Sequence, residues 1–353
     1  MKAAILHHIN QPLYISDKID IPTLKYGQLL VEIAYSGVCR SQLMEMQGGR
    51  GDDKYLPHLL GHEATGIVRD IGDGVTKCSI GDKVILTWIK SQGIDAGGVT
   101  YPCHDGNINS DIINAGAITS FNSHCVVSEN RIVPLPKGVN MDIGVLFGCA
   151  LTTGAGAILN DIKPHKNSTI AIFGLGGIGL SALMALQHFD CHQIFAIDIA
   201  DHKLDFAKKI GADICMNANR DAILDTIYHE TNQQGVDYAF EASGSCDVIT
   251  TAFQSVRKNG GLCVFASHPP QGEKIMLDPH DLISGKQIRG SWGGSCQPDK
   301  DIPILADLYL QGKLPLEKLL SPPYSLEHIN QACDDLKLGN LYRPLIAINP
   351  DLA

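Results

Sequence analysis

Residues 168–180, Ser168-Thr-Ile-Ala-Ile-Phe-Gly174-Leu-Gly176-Gly177-Ile178-Gly179-Leu180, carry the reading of the fold. Ser168–Phe173 is apolar and rich in β-branched residues, so it is expected to be a buried strand. Leu180–Phe189 continues as an apolar helix, and between them stands G-x-G-x-x-G. A second apolar run, Gln193–Asp198 (QIFAID), ends on an acidic residue 19 positions beyond Gly179. Strand, glycine turn, helix and acidic strand end together make a dinucleotide-binding unit. Gly174 allows the tight turn, Gly176 lets a pyrophosphate approach the backbone, and Gly179 lets helix and strand pack closely. Gly177 and Ile178 complete the turn that leads into the helix, whose N-terminus favours phosphate charge. Asp198 is expected to accept hydrogen bonds from the adenosine ribose and to repel a 2′-phosphate, which favours NAD over NADP.

Outward from this stretch the rhythm repeats. A helix is expected around His202–Ile210, and strands at Val236–Glu241 and Gly261–Ala266, with helical stretches between. Alternating strands and helices specify a doubly wound parallel sheet of the Rossmann kind. Upstream, Leu29–Tyr35, Gly66–Ile71 and Lys83–Thr87 read as strands separated by turn signals, which describes a mixed, mainly β domain. Past Gly293 come a helix, Asp301–Leu310, and a strand, Pro344–Ile348, expected to return to the first domain. The expected organisation is therefore residues 1–150, then a nucleotide domain 151–292, then a return at 293–353. Between Lys166 and Asp190 lie 23 uncharged residues, but the glycines that break them argue for burial in protein rather than lipid.

The 353 residues suit two domains, and 44% hydrophobic with 19% charged residues is an ordinary globular balance. Lysine and arginine number 28 against 38 acids, a formal charge of −10, which argues against nucleic acid or an anionic membrane as partner. The 11 cysteines are odd in number and the chain opens MKAAILHHINQP, without a leader pattern, so reduced thiols in the cytoplasm are expected. Three potential ligands stand in distinct settings: Ser36-Gly-Val-Cys39, Gly61-His62-Glu63 and Gly148-Cys149-Ala150. Two thiolates and an imidazole select zinc over magnesium or calcium. Three protein ligands leave one position open, as a catalytic zinc requires.

With these residues set out, the sequence resembles the zinc-dependent alcohol dehydrogenases of the medium-chain dehydrogenase/reductase family. The likeness rests on Gly61-His62-Glu63-x2-Gly66-x5-Gly72-x2-Val75, on Gly148-Cys149-Ala-Leu-Thr-Thr153-Gly154, and on Glu241-Ala-Ser-Gly244, and it runs to about Arg343. The resemblance implies a GroES-like catalytic domain and one catalytic zinc per chain on Cys39, His62 and Cys149, with Glu63 beneath it. It implies that Ser41 takes the alcohol proton. Arg40 and Arg343 would contact the cofactor pyrophosphate, Lys203 the adenosine ribose, and Thr153 and Ile178 the nicotinamide. Trp88 would line the substrate pocket, and the assembly would be a homodimer or homotetramer pairing around Lys286–Trp292. In the implied reaction zinc activates the substrate oxygen and hydride passes between an alcohol and NAD.

Two departures stand out. Many relatives hold a second, structural zinc with four cysteines, but residues 88–105 contain only Cys103, so no structural zinc is expected. Met44 stands where some relatives carry a proton-relaying histidine, and Gln42 where an aspartate often supports the ligand histidine; Glu45 and His58 are candidate substitutes for the relay. Alternatives to a simple alcohol dehydrogenase are a glutathione-adduct (formaldehyde-type) or polyol-linked dehydrogenase and, from another class, a non-catalytic NAD-binding redox sensor.

Overall fold

The computed structural model covers all 353 residues. It divides into two compact units, Met1–Cys149 with Gln297–Ala353, and Ala150–Cys296.

The second unit is built on a six-stranded, wholly parallel sheet. Its strands are β1 (Thr169–Phe173), β2 (Gln193–Asp198), β3 (Ile214–Asn217), β4 (Tyr238–Glu241), β5 (Leu262–Phe265) and β6 (Gln287–Gly290). The spatial order is β3-β2-β1-β4-β5-β6. Both faces are covered, which is why β1 and β2 are apolar almost throughout instead of alternating. Helices α1 (Gly177–Leu186), α2 (Asp201–Lys209), α3 (Ile223–Glu230) and α4 (Cys246–Ser255) stand between successive strands from β1 to β5. Phe173, Phe195, Ile227 and Phe253 are buried together in its core. The strand order reverses between β1 and β4, so the ligand crevice of such a sheet lies at their C-terminal ends.

Helix α1 begins three residues earlier than the expected Leu180, because the glycines themselves form its first turn. It ends at Leu186, and residues 187–189 close with i→i−3 bonds instead of continuing. All of α1 except Ile178 is buried, so an apolar surface on every side is matched by protein contacts. The uncharged stretch 167–189 is thus a strand, a turn and a short core helix. No single helix of the chain is long and apolar enough to cross a membrane.

In the first unit a seven-stranded sheet centres on Gln28–Gly37, which pairs antiparallel with Glu63–Ile71, His124–Ser128 and Leu345–Ala347. The last of these comes from the C-terminal segment and lies against Tyr35–Gly37. A five-stranded sheet includes Ala3–Leu6, antiparallel to Tyr14–Ser16 and His58–Leu59. Leu29, Val31, Ile33, Val68 and Leu86 form part of the core between these elements. The segment 88–105, with its single Cys103, is anchored by a carboxylate. Glu129 accepts hydrogen bonds from the backbone amides of Thr76 (2.6 Å), Lys77 (2.8 Å) and Ile94 (2.9 Å). Against burial, these amides hold the Glu129 carboxyl below the ordinary range.

Candidate metal centre and cofactor crevice

Each ligand of the metal centre sits at the end of an element. Cys39 is the extended residue between strand Gln28–Gly37 and helix Arg40–Met46. His62 immediately precedes strand Glu63–Ile71, and Cys149 follows the turn Val145–Gly148. That turn is tied to the sheet by Thr87, whose Oγ1 donates to the Gly148 carbonyl at 2.8 Å. The two sulfurs and an imidazole nitrogen lie within 4.8 Å of one another. His62 Nε2 is buried with no hydrogen-bond partner, as a nitrogen poised to bind a metal must be. Two buried sulfurs and this nitrogen suit zinc, leaving its fourth position for substrate.

The hydrogen bond with Cys149 holds the Cys39 thiol well below its usual range, outweighing burial, with Arg343 and His62 adding to the effect. The same hydrogen bond, together with burial, pushes Cys149 well above its range. A metal would displace any thiol proton and bind both sulfurs of the pair as thiolates. Beneath it, Arg343 Nη1 stands 3.0 Å from Glu63 Oε1, and both side chains are buried (3% and 0% exposed). Burial opposes the charge on Arg343, but Glu63, Cys39 and Cys149 outweigh it and keep the guanidinium firmly protonated. The sequence points Arg343 to the cofactor alone; nothing local to residue 343 signals its place beside Glu63 and the thiolates.

Gln42 has one oxygen where two acceptors are needed. Its Oε1 accepts from the Cys39 backbone amide at 2.8 Å, which turns its Nε2 towards His62 Nδ1. To bind a metal through Nε2, His62 must carry its proton on Nδ1 and needs an acceptor there. The amide must turn over and give up the Cys39 contact. A carboxylate in the same place offers both oxygens, so Gln42→Glu is expected to tighten zinc about tenfold, as measured by competition with a chromogenic chelator.

Ser41 lies one turn before Glu45 on helix Arg40–Met46, and its Oγ is buried without a partner. Glu45, Asp53 and His58 come together with ligand-type atoms within 4.8 Å of one another. His58 Nε2 meets Asp53 Oδ2 at 2.7 Å, and its Nδ1 meets the Leu59 carbonyl at 3.0 Å. Asp53 had no signal in the sequence, since it gains meaning only where the loop after the helix brings it to His58. Trp88 is half-buried and stands edge-on to His62, with ring centroids 6.5 Å apart. Arg40 is exposed.

In the second unit Gly174 has φ +87°, and a Cβ there would lie 2.8 Å from the Ser243 amide. A Cβ on Gly176 would meet nothing within 4 Å, so this backbone is open to a phosphate. Asp198 accepts from the amides of Leu175 (2.7 Å) and Ala200 (3.0 Å), which ties the end of β2 to the glycine turn. Thr153 is buried in helix Ala150–Gly156, which packs on α1; Ile178 is half-buried on α1, and Lys203 lies in the first turn of α2. This crevice fits a dinucleotide with an unphosphorylated adenosine ribose.

Residues 25–137 match the alcohol dehydrogenase GroES-like domain, and residues 177–311 match the zinc-binding dehydrogenase family. Benzyl alcohol dehydrogenase from Acinetobacter calcoaceticus superposes with a TM-score of 0.88 at 29% identity, covering 99% of each chain. An alcohol dehydrogenase zinc-binding domain protein from Burkholderia ambifaria gives a TM-score of 0.85 at 29% identity, covering 99% of this chain and 98% of that one. S-(hydroxymethyl)glutathione dehydrogenase from Escherichia coli is 27% identical over 98% of this chain and 99% of its own length.

Proposed function

Since the chain belongs to the zinc-dependent alcohol dehydrogenases of the medium-chain dehydrogenase/reductase family, we propose that it oxidises a primary or secondary alcohol with NAD and reduces the aldehyde or ketone in reverse. The observation that carries this reading is the Cys39–His62–Cys149 cluster with its unpartnered, buried imidazole nitrogen.

Zinc on these three ligands supplies a Lewis acid that lowers the pKa of the alcohol, and NAD supplies the hydride acceptor. The protein's share is positioning and proton transfer. Ser41 Oγ accepts the alcohol proton and passes it one helical turn on to Glu45, from which Asp53 and His58 lead it to solvent in place of a histidine at Met44. Trp88 and His62 shape an aromatic wall for the substrate. Arg343 holds the charge of Glu63 in place under the thiolates, and Arg40 and Arg343 favour the cofactor pyrophosphate. Asp198 and Lys203 select the adenosine ribose, and Thr153 and Ile178 support the nicotinamide.

A benzylic alcohol is the substrate class favoured by the Acinetobacter relative and by the tryptophan beside His62. The S-(hydroxymethyl)glutathione dehydrogenase of Escherichia coli supports a second reading, a glutathione adduct of formaldehyde. All 11 cysteines are free, in keeping with a reducing compartment such as the cytoplasm. The edge strand β6 is where a second copy would extend the sheet into a homo-oligomer.

The test is NADH formation by zinc-loaded protein on benzylic, aliphatic and polyol alcohols, and on formaldehyde with glutathione. Turnover lost to a chelator, with about one zinc per chain by metal analysis, is the expected result. Ser41→Ala should abolish most of it. His58→Gln should slow it and be rescued by added imidazole; loss without rescue would exclude the relay. Absence of turnover on every substrate, with zinc and NAD bound, would overturn the reading.

A further inference from the structure

Glu241 is fully buried at the C-terminal end of β4, and none of its direct partners is a cation. Its Oε1 accepts hydrogen bonds from Ser243 N (2.6 Å), Ser243 Oγ (2.5 Å) and Gly244 N (3.0 Å). Its Oε2 accepts one from the hydroxyl of Ser267, just beyond β5. Ser243 Oγ in turn accepts from Ser245 N at 3.3 Å, where α4 begins. On the other side Ala242 N donates to the Phe173 carbonyl at 2.8 Å, and Ser243 lies against Gly174. The carboxylate thus ties the end of β4 and its following loop to Ser267 beyond β5, while the neighbouring backbone bond of Ala242 holds the same loop against the end of β1.

Removing a carboxylate from water without a counter-ion is costly, and hydrogen bonds to the charged form are what offset it. Here three of the four come from the short loop Ser243–Gly244. That loop borders the crevice where the strand order reverses. Asp198 marks the β2 side as the place of the adenosine ribose, so the β4–β5 side receives the other half of the dinucleotide. We propose that Glu241 is the positioning residue for the nicotinamide half of the cofactor. Its carboxylate clamps Ser243 and Gly244 into the wall of that half-site, and Ser267 completes the clamp. The inference rests on the reading of NAD as cofactor.

The experiment compares calorimetric affinities for NAD and for ADP-ribose, which lacks the nicotinamide, on zinc-loaded full-length protein. Glu241→Gln keeps the shape but replaces charge-assisted bonds with neutral ones of roughly half the strength. NAD affinity should fall about tenfold while ADP-ribose affinity stays within about twofold. Ser267→Ala removes one donor and should weaken NAD about threefold with the same selectivity. It reads the clamp even where Glu241→Gln fails to fold. Unchanged NAD affinity in the variants, or an equal loss for both ligands, overturns the proposal. Wild-type protein that binds neither NAD nor ADP-ribose would instead refute the cofactor reading, a failure that is separate from the clamp.

Discussion

Cys39→Ala is expected to leave a folded chain that retains no zinc and has lost on the order of a thousandfold in kcat. A zinc that polarises the substrate oxygen contributes several kcal/mol to the barrier, and each 1.4 kcal/mol or so is about a factor of ten. His62 and Cys149 alone are two ligands, too few to hold a catalytic zinc in competition with water. The substitution also removes the thiolate that Arg343 faces, so the remaining charges, Glu63 and Arg343, still balance. For that reason the fold should survive, and near-native circular dichroism should accompany the loss of metal. Metal analysis after gel filtration and turnover with added zinc check the point together. Full zinc occupancy and unchanged turnover would show that the metal sits elsewhere.

Arg343→Met is the second large effect, and it falls on stability. It removes the cation that pairs with the fully buried Glu63 and leaves that carboxylate beside Cys39 and Cys149. Breaking a buried pair from one side costs about 3–5 kcal/mol, because the surviving charge loses its partner and not its burial. The double variant Glu63→Gln/Arg343→Met should recover most of that loss, since it leaves no ion behind. Urea unfolding of metal-free protein measures both. A single-variant loss below about 1 kcal/mol would mean that water reaches the pair. Zinc affinity of Arg343→Met should fall as well, because the guanidinium supports the thiolate form of Cys39.

The cofactor crevice is largely legible in the sequence because its determinants are local. A strand, a glycine turn, a helix and an acidic strand end lie within 31 residues, from Ser168 to Asp198, and each has a backbone reason to be where it is. The early start of α1 is not legible in the sequence, because glycine is a poor helix former and only the turn geometry makes Gly177 the first residue of the helix. Asp198 is expected from the sequence at the adenosine ribose; in the structure its carboxylate accepts from Leu175 and Ala200 and so ties the end of β2 to the glycine turn.

By itself the sequence determined the chemistry: soft ligands for zinc, a glycine cradle for a dinucleotide, and an acid that disfavours NADP. Residue type and short spacing suffice for these, because ligand softness and backbone turns do not depend on distant partners. Only the tertiary structure decided what surrounds them. Arg343 meets Glu63 because strand Leu345–Ala347 pairs with the end of Gln28–Gly37, the strand that leads into Cys39. Gln42 spends its one oxygen on Cys39 and faces His62 with nitrogen, and Asp53 joins Glu45 and His58 across a loop. Glu241 clamps the loop after β4 to Ser267 beyond β5. Each of these depends on contacts between residues brought together by sheet register or loop closure, and no local pattern specifies which buried charge will meet which donor.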